Sequence, residues 1–473
     1  MQMPMTRRAL ISGLPAVFVK GSAATRKTNV VMFMTDDHGA WALNCYGCKD
    51  LHTPNVDALA SGGARFTRAY ACTPVCSPSR MSYITGKIPS QHGVQDWLIP
   101  EDSFGPQSRR WLAGQTTYSE ILAKNGYTLG MCGKWHMGHD AEAQAGFSYG
   151  SSVPGGGGTY RDPEFVKNGE HLKTHGYKTD YVGDCALEFL ERSHRDPFYL
   201  LVPFYAPHTP YDYQPEEYRK FYNASSFPCF PGTPMNPTQN AGLANLHGSR
   251  NAKHAYSALI SGVDANVGRI VRKLEELKVR DNTLVIFAAD QGWCAGHHGV
   301  WGKGNGTWPF NLYEESLRVP LIWNHPARIR AGMTLNPLVS SYDYFPTILD
   351  YLGVEAAPDA ARVGRSYAAF LAGKNPPWRN RLFHEYEYVR GVRSENLKYI
   401  ERTKEFPSEL YDLEADPGET TNRIHDPAYR AQLEVLRTDL REFFSKAGAP
   451  TLEDWQSTTK QKLTKYKAVG AAH

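Results

Sequence analysis

The residues best equipped for chemistry stand where apolar runs end. Asn29 to Thr35 (NVVMFMT) leads directly into Asp36-Asp37, and Thr283 to Ala289 (TLVIFAA) leads into Asp290-Gln291-Gly292. A third run, Phe198 to Phe204 (FYLLVPF), is followed closely by Pro207-His208-Thr209-Pro210. Three carboxylates and an amide oxygen converging from two such ends make a hard, all-oxygen donor set of the kind that holds Ca²⁺ or Mg²⁺. Taken singly, an Asp after a strand more often caps the next helix. Two acidic ends on long apolar strands leave the cation and the cap about evenly matched.

Cys76-Ser77-Pro78-Ser79-Arg80, continuing to Thr85-Gly86, offers a different chemistry. An arbitrary Cys at the start of a helix is simply a buried thiol. Here the helix N-terminus and a guanidinium four residues on both favour an anion beside the side chain.

These groups need a scaffold that brings strand ends together. Apolar runs of seven residues fit strands covered on both faces, and helical patterns lie between them. Thr117-Tyr118-Ser119-Glu120 reads as a capping box opening a helix that stops at Gly126. Leu259, Val263, Val267, Ile270, Val271, Leu274 and Leu277 form a helical stripe whose role is core packing. The expected fold is therefore α/β, a large mostly parallel sheet flanked by helices, with ligands beyond the carboxyl ends of its strands. After Gly373-Lys374-Asn375-Pro376-Pro377 the character changes. Leu382 to Ile400 reads as short antiparallel strands, and Asp426-Pro427 starts a final helix. The layout is a catalytic domain over residues 28–375 and a smaller C-terminal α+β module over 376–473.

Composition narrows the classes. The 473 residues are 41% hydrophobic and 21% charged, with 52 basic against 48 acidic side chains and a formal net charge of +4. That excludes disordered, fibrous and polytopic membrane proteins. Without a long basic run, a general nucleic-acid surface has no support. Eight cysteines are too few for a disulfide scaffold, and Cys45-x-x-Cys48 lacks the second pair a zinc site needs. Residues 1–25 read as a leader: Thr6-Arg7-Arg8-Ala9-Leu10-Ile11 has a twin-arginine pattern, Leu10 to Val19 is short and mostly apolar, and Gly21-Ser22-Ala23-Ala24 supplies small residues. Ten apolar residues cannot span a bilayer, so the expectation is a periplasmic or secreted protein with no stable membrane anchor.

The Cys76-to-Gly86 motif resembles the signature of the type I sulfatases, in the alkaline-phosphatase-like superfamily. Asp36-Asp37, Gly133-Lys134-Trp135-His136, Pro207-His208-Thr209-Pro210, Asp290-Gln291-Gly292 and Gly302-Lys303-Gly304 occur in that family's order. Glu409-Leu410-Tyr411-Asp412-Leu413, running to Asp416-Pro417-Gly418-Glu419, is similar to its closing module. The resemblance implies that Cys76 is oxidised to formylglycine by a separate maturation enzyme and that the hydrated aldehyde is the nucleophile. Cys72 begins a similar Cys-x-Pro but lacks Arg at +4. Asp36, Asp37, Asp290 and Gln291 would hold Ca²⁺ (Mg²⁺ being the other candidate), with residue 76 completing the shell. Gln291 departs from the Asn or His usual in the family. Arg80 and Lys134 would neutralise the nucleophile and sulfate oxygens, and His136 would contact the formylglycine hydroxyls. His208 and Lys303 would serve the leaving group.

The implied reaction is hydrolysis of a sulfate monoester, small-molecule or oligosaccharide, with a sulfated carbohydrate favoured over a small aryl or choline ester because an exported enzyme meets polysaccharide fragments. Three alternatives stay open: a phosphate or phosphonate ester hydrolase on the same scaffold, a catalytically silent binder of anionic glycans, and thiol hydrolysis by Cys76 with a His. Gly155 to Gly158 is a loop able to border the pocket. Trp97, after Asp96, is read as a loop anchor, and His297 and His298 as shaping the approach to Lys303.

Overall fold

The computed structural model describes residues 26–455; the leader read in residues 1–25 and the chain end after 455 lie outside the described residues. Its centre is a ten-stranded sheet. Five strands run parallel in the spatial order Thr283–Ala289, Asn29–Thr35, Phe198–Pro203, Thr128–Gly133 and Tyr149–Ser152. Antiparallel strands flank them on both sides, with Leu321–Asn324 against Thr283–Ala289 and Glu164–Lys167 against Tyr149–Ser152.

Every residue of Asn29–Thr35 and Thr283–Ala289 is buried, as their unbroken apolar character requires. Alternation still sorts their side chains. Val31 and Phe33 join a core with the helices Lys178–Ser193 and Arg250–Glu276, while Val30 and Met32 join a second core with Tyr118–Lys124 and Tyr344–Leu352. The helical stripe packs as expected, with Leu259, Val263, Val267, Ile270 and Leu274 buried and Val271 and Leu277 at its margin. The Thr117 capping box forms, and its helix ends at Lys124, ahead of Gly126 at φ 75°. Among the described residues, no helix is long and apolar enough to cross a membrane.

The later chain builds a four-stranded antiparallel sheet, Leu382–Tyr386, Val389–Arg393, Leu397–Arg402 and Glu409–Asp412. The helix Arg430–Lys446 lays Leu433, Leu436, Leu440 and Phe444 against it. That helix begins later than Asp426-Pro427 implies. Asp426 caps the Ala428 amide, but residues 427–429 form a 3₁₀ turn before the α-helix starts at Arg430.

Candidate active site

All the strand ends named above open on one side of the sheet, and the polar residues meet there. Asp36 and Asp37 leave the strand Asn29–Thr35 fully buried, Asp37 in a left-handed conformation at φ 62°. The helix Cys76–Thr85 is buried along its whole length and presents its first residue to them. Cys76 Sγ lies 3.3 Å from Asp36 Oδ1. Lys303, from the turn after Trp301–Gly302, places Nζ 2.5 Å from Asp37 Oδ1 and 2.8 Å from Cys76 Sγ. Lys134 is only 1% exposed and donates to Asp36 Oδ2 at 2.5 Å. A buried, paired lysine is not a solvated surface residue.

Arg80 ties these parts together. Its Nε and Nη2 hold Asp290 Oδ2 at 2.8 and 2.7 Å, Nη2 lies 3.7 Å from Asp36, and Nη1 donates to the Lys134 carbonyl. Gln291 turns its amide nitrogen to Asp36 Oδ1 at 3.1 Å and Asp37 Oδ1 at 2.5 Å. His208 flanks Asp37 Oδ2 at 3.6 Å; its side chain is 24% exposed, so it marks the open edge of the site. His136 sits at φ 55° with Nε2 2.8 Å from the Leu98 carbonyl, while Nδ1 is buried and without a partner.

The charges shape each other. Burial and Asp36 push the Cys76 thiol up, but Lys134, Lys303 and His208 outweigh them and bring it down to about 6. Burial opposes ionisation of Asp36, yet Lys134, His208, Lys303 and Arg80 hold it well below the usual carboxylate range. Asp37 and Asp290 are raised, first by burial and, further down the balance, by Asp36. Burial, followed by the Lys134 charge, keeps the His136 imidazole well below the ordinary His range.

Three buried carboxylates packed together suit a hard cation, and two oxygens among these residues make no hydrogen bond within the protein: Asp37 Oδ2 and Gln291 Oε1. Rotating the Gln291 amide by half a turn aims that oxygen at the carboxylates. Ligand atoms of Asp36, Asp37, Cys76 and His208 lie within 4.8 Å of one another. Asp290 stands beside this group, engaged by Arg80.

The structure thus gathers Asp36, Asp37, Cys76, Arg80, Lys134, His208, Asp290, Gln291 and Lys303 into one cluster, with His136 at its side. Cys72 is elsewhere, its amide bonded to Ser341. His297 packs on Trp41 and His298 stacks on Tyr313, neither touching the cluster. Asp96 accepts from the Tyr386 hydroxyl, and Trp97 packs into the aromatic group beneath the second sheet. The glycine loop does reach the site: a Cβ on Gly156 meets His136 Cδ2 at 2.3 Å, so only glycine fits. Sequence reasoning missed Tyr205, whose ring lies 4.9 Å from His208, tilted by 30°, and underlies Lys134 at 5.3 Å. Its place between the apolar run and Pro207-His208 was the available signal.

Comparison with known proteins decides the family. The Sulfatase family model matches residues 28–354. The chain belongs to the sulfatase family. It is a hydrolase of sulfate esters, in a family that works through a formylglycine and a bound metal. A second model, the C-terminal part of N-sulphoglucosamine sulphohydrolase, matches residues 296–446 of this sulfatase. An N-acetylglucosamine-6-O-sulfatase from Bacteroides thetaiotaomicron is 28% identical over 88% of this chain and 86% of its own. Human arylsulfatase A is 29% identical over 88% and 86%. A structure solved in complex with its substrate D-glucosamine-2-N,6-O-disulfate superposes with a TM-score of 0.79, 26% identity, and coverage of 91% of this chain and all of that one.

Proposed function

We propose that this sulfatase releases sulfate from a sulfated carbohydrate, using a formylglycine formed from Cys76 and a bound Ca²⁺. The observation that carries the reading is Cys76 itself, the first residue of a buried helix, bracketed by Asp36 and Lys303. Asp36, Asp37, Asp290 and Gln291 are the residues to hold the cation, which supplies charge withdrawal from the sulfuryl oxygens. Three fixed cations, Arg80, Lys134 and Lys303, face three carboxylates, so a divalent ion leaves the site net positive, as an anionic ester requires.

Each basic residue then has a task. Arg80 and Lys134 hold the sulfate oxygens, the guanidinium as a fork and the ammonium as a point charge. His136, neutral and with Nδ1 free, accepts the proton from a residue-76 hydroxyl. His208, at the open edge, protonates the departing alkoxide, while Lys303 reaches both the nucleophile and the ester oxygen.

A sugar substrate is supported by the glucosamine-directed relatives. Export is supported by the Cys48–Cys229 disulfide, a bond that persists in oxidising compartments, together with the leader pattern in residues 1–25. Maturation at Cys76 calls for an enzyme of the producing cell. The test is hydrolysis of N-acetylglucosamine 6-sulfate, an aryl sulfate and N-acetylglucosamine 6-phosphate, read as sulfate or phosphate released. The sugar sulfate should be preferred, and faster turnover of the phosphate ester contradicts the reading.

A further inference from the structure

We infer that Glu419, on the C-terminal part of the chain, is a positioning residue for the active site. It fixes the helical turn Glu314–Leu317, from which the Lys303 loop and the Gln291-Gly292 turn both hang. Glu419 is held in a left-handed backbone conformation, φ 51°, with its side chain wholly buried. Its Oε2 accepts the Glu314 amide at 2.8 Å and lies 3.7 Å from His298 Nε2. Its Oε1 pairs with Lys398 Nζ, which also reaches Glu314 Oε1 at 3.2 Å and the Leu312 carbonyl at 2.8 Å.

Two lines run from that turn into the site. Ser316 Oγ donates to Asn311 Oδ1 at 2.8 Å, and Asn311 Nδ2 donates to the Lys303 carbonyl at 3.0 Å. On the other side, the Gly292 amide donates to the Ser316 carbonyl at 3.0 Å. The approach is so close that a Cβ on Gly292 falls 2.1 Å from the Glu315 carbonyl oxygen. Any shift of the turn therefore moves Gln291 and Lys303 together. The family model that begins at residue 296 spans the Lys303 loop and the second sheet as one unit, in keeping with this linkage. A buried ion network costs desolvation that apolar packing does not, and the return on that cost here is register.

This inference rests on Lys303 and Gln291 belonging to the reaction site, so Lys303→Ala is measured alongside. The variants are Glu419→Gln, Ser316→Ala and Asp439→Asn, the last loosening the C-terminal helix from Arg379 and Arg381 without touching either line. Two quantities are read well below the melting temperature: kcat on an aryl sulfate, and calcium affinity of the unmatured protein by calorimetry. Glu419→Gln should lose kcat by about tenfold or more, the scale of a sub-ångström misplacement, and bind calcium more weakly. Ser316→Ala should show a smaller loss of kcat, and Asp439→Asn a lower melting temperature with kcat intact. Wild-type kcat and calcium affinity in folded Glu419→Gln overturn the inference. If that variant does not fold, wild-type kcat in Ser316→Ala overturns it. If Lys303→Ala keeps full kcat, the reading of the site falls and the inference with it. An inactive Lys303→Ala beside an unaffected Glu419→Gln removes the inference alone.

Discussion

The Lys303 ammonium lies 2.8 Å from Cys76 Sγ and 2.5 Å from Asp37 Oδ1, so one buried cation touches both the proposed site of oxidation and a proposed metal ligand. Lys303→Ala removes this charge from the reacting centre. The expected loss in kcat is about 100- to 1000-fold, the usual scale for deleting one preorganised donor. Steady-state kinetics on matured enzyme check it, and wild-type kcat contradicts it.

Calcium should stabilise as well as activate. Asp36, Asp37 and Asp290 share a dry pocket, so a chelator raises the cost of their charges while abolishing turnover. At a ligand concentration about 100 times the dissociation constant, linkage gives about 2.7 kcal/mol. The melting temperature should rise with added Ca²⁺ and fall with chelator, and Gln291→Ala should need more Ca²⁺ for the same shift. A melting temperature indifferent to both is the contrary result.

Two buried neutral histidines should cost this protein stability in acid. Burial holds His384 down to about 4 and His92 to about 3, both fully inside the fold. Their folded values lie below the unfolded value of about 6.5, so the unfolded chain takes up protons first as pH falls. The contribution of these two histidines is complete above about pH 6.5 and drains away as pH falls towards their folded values, with about 3 kcal/mol at stake for His384. Between pH 7 and pH 5 the calorimetric melting temperature of the parent should lose ground relative to that of His384→Asn. Parallel profiles for parent and variant contradict this.

The Cys48–Cys229 bond joins cysteines 181 positions apart in sequence and anchors the segment that covers the Lys303 loop, where Asn236 and Asn240 amides donate to the Gly299 and Gly306 carbonyls. Cys229→Ser should cost about 2–5 kcal/mol of stability. Denaturant titration with and without reductant measures it, and equal midpoints for variant and parent under oxidising conditions contradict it.

Much of this was legible in the sequence where one physical constraint dominates. Asn29–Thr35 and Thr283–Ala289 are strands with the expected bounds, because full burial on both faces leaves an unbroken apolar run. The strand Glu164–Lys167 and the edge strand Glu170–Lys173 beside it carry no such signal, being short, the first exposed or part-exposed at its ends and the second exposed along most of its length. Local motifs named the cluster residues, whereas partners chosen by tertiary packing stayed invisible. Cys45-x-x-Cys48 drew attention to the wrong neighbour, since Cys48 pairs with a residue far along the chain. Glu419 looked like the end of a motif, and only its burial against Glu314 and Lys398 shows what it holds.

The central claim is that Cys76 becomes the nucleophile by oxidation. The most direct measurement is mass spectrometry of the tryptic peptide from Ala69 to Arg80, on active enzyme from its native host or made with a maturation enzyme. The account predicts an aldehyde, or its hydrate, in place of the Cys76 thiol. An intact thiol throughout fully active enzyme contradicts it.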